Sequence, residues 1–176
     1  MRIGDGGLQD RILIVDDEEI VTNYLVSVFS KHGHNCDTAK DGLEALEKIK
    51  KNCFDAVVAD IVMPQMDGVA VTKELVKLYP DLPIMVITGQ NGEYSAQSAI
   101  AAGAQEFIKK PFSLPEFILR FNKMMHEHES LCKVREKRDE MIFNLHRESS
   151  EKIEELKKKI ETLERKSYHL EPDLWR

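Results

Sequence analysis

Phe54-Asp55-Ala56-Val57-Val58-Ala59-Asp60-Ile61-Val62-Met63-Pro64-Gln65-Met66-Asp67-Gly68 is the stretch on which the reading of this chain turns. Its first part is a short Val-rich run, the pattern of a strand buried on both faces of a sheet. Asp60 closes that run. A carboxylate at the end of a buried strand has no core partner, so it must face a crevice, an ion or water. Met63-Pro64 stops the strand, and Asp67-Gly68 turns the chain into the next helical pattern. Standing alone, such an Asp often only caps the helix that follows. The rest of the chain has to supply its company.

Upstream, Arg11–Val15 is a second buried-strand run that ends in Asp16-Asp17-Glu18-Glu19. A helical pattern follows through Ile20, Tyr24, Leu25, Val28 and Phe29, with Gly33 as its stop. Asn35–Ala39 reads as a weak strand. Asp41-Gly42-Leu43-Glu44 reads as a capped helix start ahead of an apolar stripe of Leu43, Leu46 and Ile49. Beyond the central stretch come a helix over 69–78, a strand over 83–88, a helix near 93–102 and a short strand over 106–108. Lys109-Lys110-Pro111 then leads to Ser113-Leu114-Pro115-Glu116, a capping box that opens a last helix.

Strands and helices thus alternate with short connections, which predicts a parallel sheet wrapped by helices on both faces. Such sheets bind ligands outside the carboxyl ends of their strands. Asp16-Asp17, Asp60, Thr88 and Lys110 each follow a strand, so this fold gathers them at one edge. Converging carboxylates repel one another unless a cation intervenes, and hard oxygen ligands in that number favour Mg²⁺. A cation at Asp60 would also neutralise an incoming phosphoryl group. Lys110 adds a point charge and Thr88 a hydroxyl to the same oxygens. Asp60 is therefore a candidate phosphoryl acceptor. Each residue has a plainer reading: Thr88 as a strand-end hydroxyl, Lys110 as a surface charge, Asp16-Asp17 as a helix start favoured by the macrodipole.

The acidic pair after the first strand, the Asp60 strand with Met63-Pro64 and Asp67-Gly68, Thr88-Gly89 and Lys110-Pro111 together resemble the receiver domain of two-component response regulators. The resemblance covers roughly residues 10–128. It implies a flavodoxin-like, doubly wound, five-stranded parallel sheet in the order 2-1-3-4-5. It further implies that Asp60 takes a phosphoryl group from a phosphohistidine on a sensor histidine kinase or phosphotransfer protein. By the same resemblance Asp17 and Asp60 hold Mg²⁺ directly with the Val62 carbonyl, and Asp16 helps through water. Thr88 and Lys110 sense the phosphoryl group. Phe107 takes the aromatic switch position, where Tyr is common.

Composition bounds the alternatives. The net charge is −6; residues 1–128 carry 19 acidic and 13 basic side chains, and residues 129–176 carry 12 of each. Neither part has the basic excess that phosphate neutralisation demands, which argues against nucleic acid and against a transcription factor. No apolar run reaches membrane-spanning length. Residues 1–9 read as a disordered lead-in, not a signal peptide. Cys36, Cys53 and Cys132 have no metal-binding spacing and read as reduced thiols in a cytoplasm. His126 and His128 do not share a helix face, and His146 has no nucleotide-binding segment to make it a kinase site. A haloacid-dehalogenase-type phosphatase would place its nucleophile after the first strand as Asp-x-Asp. A flavin-binding protein of this fold would carry a Ser/Thr/Gly-rich first loop. Here that loop is acidic, and a switch rather than an enzyme is expected.

After His128 the chain has too few residues for a second core. Ile153, Leu156, Ile160 and Leu163 recur as a coiled-coil seam does, and Leu131, Val134, Met141, Ile142 and Leu145 form a looser one. Ser149 and Ser150 lie at a stutter between the two registers. Glu154–Lys158, Glu155–Lys159 and Glu161–Arg165 have helix-supporting spacing. A helical extension over 129–170 is expected, pairing as a parallel homodimer or binding another protein, with residues 171–176 as a loose end or docking peptide after Glu171-Pro172.

Overall fold

Alternate residues of the five strands feed two separate cores. The computed structural model describes residues 9–89 and 93–168, so the expected lead-in, apart from Gln9, and the end after Glu171-Pro172 lie outside the described residues. The elements follow as β1 (Arg11–Val15), α1 (Glu19–Lys31), β2 (Asn35–Ala39), α2 (Gly42–Lys51), β3 (Ala56–Asp60), α3 (Gly68–Leu78), β4 (Ile84–Thr88), α4 (Glu93–Ala101), β5 (Glu106–Lys109) and α5 (Leu114–Tyr168). All pairings are parallel, in the order β2-β1-β3-β4-β5.

Successive strand residues point to opposite faces. Leu13, Val15, Val57, Ala59, Ile84 and Val86 therefore meet Ala45 and Ile49 of α2, Val71 and Leu75 of α3 and Ala99 of α4. Ile12, Ile14, Ala56, Val58, Met85, Ile87 and Ile108 meet Leu25 and Phe29 of α1 and Phe117, Phe121 and Met124 of α5. Both faces are covered, which is why the strands read as continuous apolar runs. On the second face Phe29 stands edge-on to Phe121 and Phe117, with ring centroids 4.7 and 5.6 Å away.

The helix ends follow local chemistry. Asp41 accepts the Glu44 N–H at 2.9 Å, whereas the Glu44 carboxylate takes the N–H of Lys40 at 3.1 Å, one residue short of a reciprocal box. Gly33, at φ 88°, supplies the left-handed residue that ends α1. Ser113 accepts the Glu116 N–H at 3.3 Å and opens α5.

Three apolar residues read as members of helical stripes do not face the core. Ile20 is 85% exposed, and Tyr24 and Leu43 are about half exposed. At 100° per residue Ile20 lies about 140° round α1 from Leu25. Thr22 takes the inward place instead.

The chain divides into two units, one ending at Glu129 and the other beginning at Ser130. In the second, α5 continues to Tyr168. Leu131, Val134, Met141, Ile142 and Leu145 are exposed there, as are Ile153, Leu156, Ile160 and Leu163. Of the three expected ion pairs, Glu155–Lys159 closes, and Lys152 joins it at 2.8 Å. These two lysines lower the Glu155 pKa from its ordinary value by hydrogen bonding.

Candidate functional site at the carboxyl edge of the sheet

Asp16 follows β1, Asp60 ends β3, Thr88 ends β4 and Lys110 follows β5. The strand order reverses between β1 and β3, where open α/β sheets leave a crevice. Asp16, Asp60 and Thr88 are all buried, so their polar atoms require partners.

The two carboxylates are held in the same manner. Asp60 accepts the Val62 N–H on Oδ2 at 3.0 Å, and its Oδ1 lies 3.0 Å from the Lys110 ammonium. Asp16 accepts the Glu18 N–H on Oδ1 at 2.9 Å, and its Oδ2 lies 3.5 Å from the same ammonium. Each carboxylate is thus pinned by the backbone two residues ahead, and one cation serves both. Lys110 is itself fixed, because its N–H donates to the Thr88 carbonyl at 2.6 Å.

The loop after Asp60 is built around a close backbone approach. The Gly68 N–H donates to the Ile61 carbonyl at 2.9 Å. A Cβ at Gly68 would stand 2.1 Å from the Asp60 carbonyl oxygen, so no side chain fits. Asp67 then caps α3 by accepting the Ala70 N–H at 2.7 Å. Gln65, at φ 64°, places a non-glycine residue in the left-handed region within this loop. The motif Met63-Pro64…Asp67-Gly68 is therefore the device that seats Asp60.

Electrostatics reflect one ammonium shared among acids. Burial raises the Asp16 pKa above its ordinary value, and the Glu18 N–H and Lys110 do not fully offset it. For Lys110, burial works against the charge, but hydrogen bonding and attraction from Asp60, then Asp16, outweigh it and hold the pKa above the usual ammonium value. Lys110 is therefore charged at neutral pH.

The sequence-predicted residues divide into two sets. Asp16, Asp60 and Lys110 are brought into contact. The Thr88 hydroxyl, on the neighbouring strand end, donates to the Gly89 carbonyl at 3.2 Å. Phe107 is half buried against the first core. Asp17 is exposed, and Val62 is exposed apart from its bonded N–H. Among the described residues no three His, Cys, Asp or Glu side chains stand in a metal-holding group, and the Lys110 ammonium lies within 3.5 Å of both Asp16 and Asp60. The two buried carboxylates still offer the hard oxygen donors that suit a small divalent cation, and the exposed Asp17 follows Asp16 in the chain. Glu18 was overlooked by sequence reasoning: its carboxylate lies 4.0 Å from the Lys110 ammonium. Its place in the acidic run was the available signal.

The family model for the response regulator receiver domain matches residues 12–122. The response regulator MprA of Mycobacterium sp. (strain KMS) is 38% identical over 115 residues, which is 65% of this chain and 50% of that protein. MprA of Mycobacterium leprae (strain TN) is 36% identical over the same shares. The chain spans about half the length of the curated relatives it matches. Among solved structures, NtrX from Brucella abortus superposes with a TM-score of 0.70 at 32% identity, covering 73% of this chain and 29% of that one. The separate receiver domain of the same NtrX gives a TM-score of 0.63 at 35% identity, covering 65% of this chain and 98% of that one.

Proposed function

The chain belongs to the response regulator receiver family, and from that premise we propose that it is a phosphoacceptor switch with Asp60 as the acceptor. One observation carries the assignment. Asp60 presents a buried carboxylate at a strand end, with a fixed N–H on one oxygen and an ammonium on the other.

The donor is a phosphohistidine on a sensor histidine kinase or a phosphotransfer protein. An Asp60 oxygen bonds to phosphorus as the phosphorus–nitrogen bond breaks. The imidazole keeps the electron pair and later takes a proton from water. Lys110 must leave the attacked carboxylate, and its ammonium then meets the phosphoryl oxygens. The Thr88 hydroxyl exchanges the Gly89 carbonyl for a phosphoryl oxygen. The Val62 N–H keeps Asp60 oriented throughout.

Mg²⁺ suits this donor set, because two buried carboxylates sharing one ammonium keep a net negative charge and burial already penalises Asp16. Asp17 and Asp60, the Val62 carbonyl and, through water, Asp16 would hold it. When bound, it would supply neutralisation of the phosphoryl charge. Phe107, beside β4 and packed on the core, would follow Thr88 and alter the surface near β5 and α5.

The output rests on the second unit. Four exposed aliphatic residues at coiled-coil spacing support a parallel homodimer through Ile153, Leu156, Ile160 and Leu163. We place the protein in the cytoplasm as a switch without a substrate of its own, binding neither nucleic acid nor membrane. The acidic balance of residues 1–128 supports this. No helix among the described residues is long and apolar enough to cross a membrane. Incubation with Mg²⁺ and a small phosphodonor, followed by peptide mapping, should place one phosphoryl group on Asp60. An Asp60→Asn variant that retains it in comparable yield removes Asp60 as the acceptor.

A further inference from the structure

Glu18 occupies the N-cap position of α1, yet its side chain makes no capping hydrogen bond. Glutamate is absent from the favoured N-cap residues, which are short enough to reach the N–H groups of the first turn. Its carboxylate instead leans toward the crevice, 4.0 Å from the Lys110 ammonium, while its own N–H is fixed on Asp16. The base of this side chain is therefore anchored to the site, and the carboxylate, whose side chain is 67% exposed, is free to follow a cation. Lys110 thus has three carboxylates in reach, at 3.0, 3.5 and 4.0 Å, of which only the last stands outside the buried pair.

We propose that Glu18 is a positioning residue for Lys110: it offers the ammonium a second seat at the crevice mouth when a divalent cation takes up Asp60 directly and Asp16 through water. The proposal rests on the phosphoacceptor reading above. Without such a seat, an entering cation must drive the ammonium into solvent, away from all three acids and from the incoming phosphoryl group. With it, the ammonium swings a short distance and stays at the site. Exposed ion pairs are individually weak, so the effect is a modest adjustment of cation affinity.

The test is a double-mutant cycle read by calorimetric titration of Mg²⁺ alone into the full chain, with no phosphodonor. Glu18→Gln in the parent should weaken Mg²⁺ binding roughly two- to five-fold, the span expected for an exposed ion pair. Glu19→Gln removes the same charge one residue on, where no side-chain contact with Lys110 exists among the described residues, and should weaken binding less. In a Lys110→Met background, or Lys110→Gln if the first fails to fold, Glu18→Gln should cost no more than Glu19→Gln. An equal loss with and without Lys110, or equal losses from Glu18→Gln and Glu19→Gln, overturns the proposal and leaves the phosphoacceptor reading intact. A parent protein that takes up no Mg²⁺ overturns both.

Discussion

Phe117, Phe121 and Met124, in the opening turns of α5, are buried against α1 and the sheet. Ile153, Leu156, Ile160 and Leu163, further along the same helix, stand between 48% and 65% exposed. Both sets are apolar at helical spacing, and both satisfy the same local rule for an amphipathic helix. The difference is who supplies the opposing surface. The first set closes on its own chain and helps make a core; the second closes on nothing among the described residues. Helix stability of this length comes mostly from packing an apolar face, which is why a homodimer is proposed for the second unit and not for the first.

The sharpest way to break that contrast is to cut into each set. Phe121→Ala removes a ring that is 1% exposed and should cost the receiver unit about 3–5 kcal/mol, read by urea unfolding. Leu156→Glu with Ile160→Glu should leave that unfolding free energy unchanged within about 0.5 kcal/mol. The same pair should abolish self-association in sedimentation at tens of micromolar, as an order of magnitude for a weak dimer. If the unaltered chain is itself monomeric there, the homodimer fails and the seam serves a different protein.

A smaller effect is expected inside the receiver unit, at Gly68. Gly68→Ala puts a methyl group 2.1 Å from the Asp60 carbonyl, so the loop must move; a loss of about 1–3 kcal/mol follows from such overpacking. Because that loop seats Asp60, phosphorylation should slow more than stability alone explains. A stability loss without a slower rate would separate the loop's packing from its chemistry.

The smallest effect concerns Asp16. Its folded pKa is raised by burial, so the folded state holds this proton more tightly than the unfolded chain. That contribution favours folding at low pH and is lost as pH rises through the raised value. Asp16→Asn should therefore raise the midpoint of thermal unfolding at pH 7 by a small amount, and the gain should vanish at or below the ordinary value of 3.8. A variant less stable than its parent at pH 7 would mean that the Glu18 and Lys110 contacts outweigh the burial.

Much of the site was legible because its residues mark strand ends. Asp60, Thr88 and Lys110 each follow an apolar run, and a parallel sheet aligns the ends of such runs at one edge. What sequence spacing could not convey is the sharing. The bond from the Val62 N–H to Asp60 and its counterpart from Glu18 to Asp16 arise from loop conformations after each strand. The reach of Lys110 to Asp16 spans 94 positions and joins the ends of β5 and β1, three places apart in the sheet.

By itself the sequence determined the five strands, their order through the family resemblance, and a last helix with no glycine between Leu114 and Tyr168 to break it. Those are matters of local pattern: apolar runs, caps, turns and periodicity, each written in neighbouring residues. Only the tertiary structure decided that Ile20, Tyr24 and Leu43 face solvent, that Lys110 lies between Asp16 and Asp60, and that Glu18 stands beside it. The physical reason is that burial and ion pairing are set by what arrives on the opposite side. Residues far off in the chain supply that side, and no local pattern encodes them.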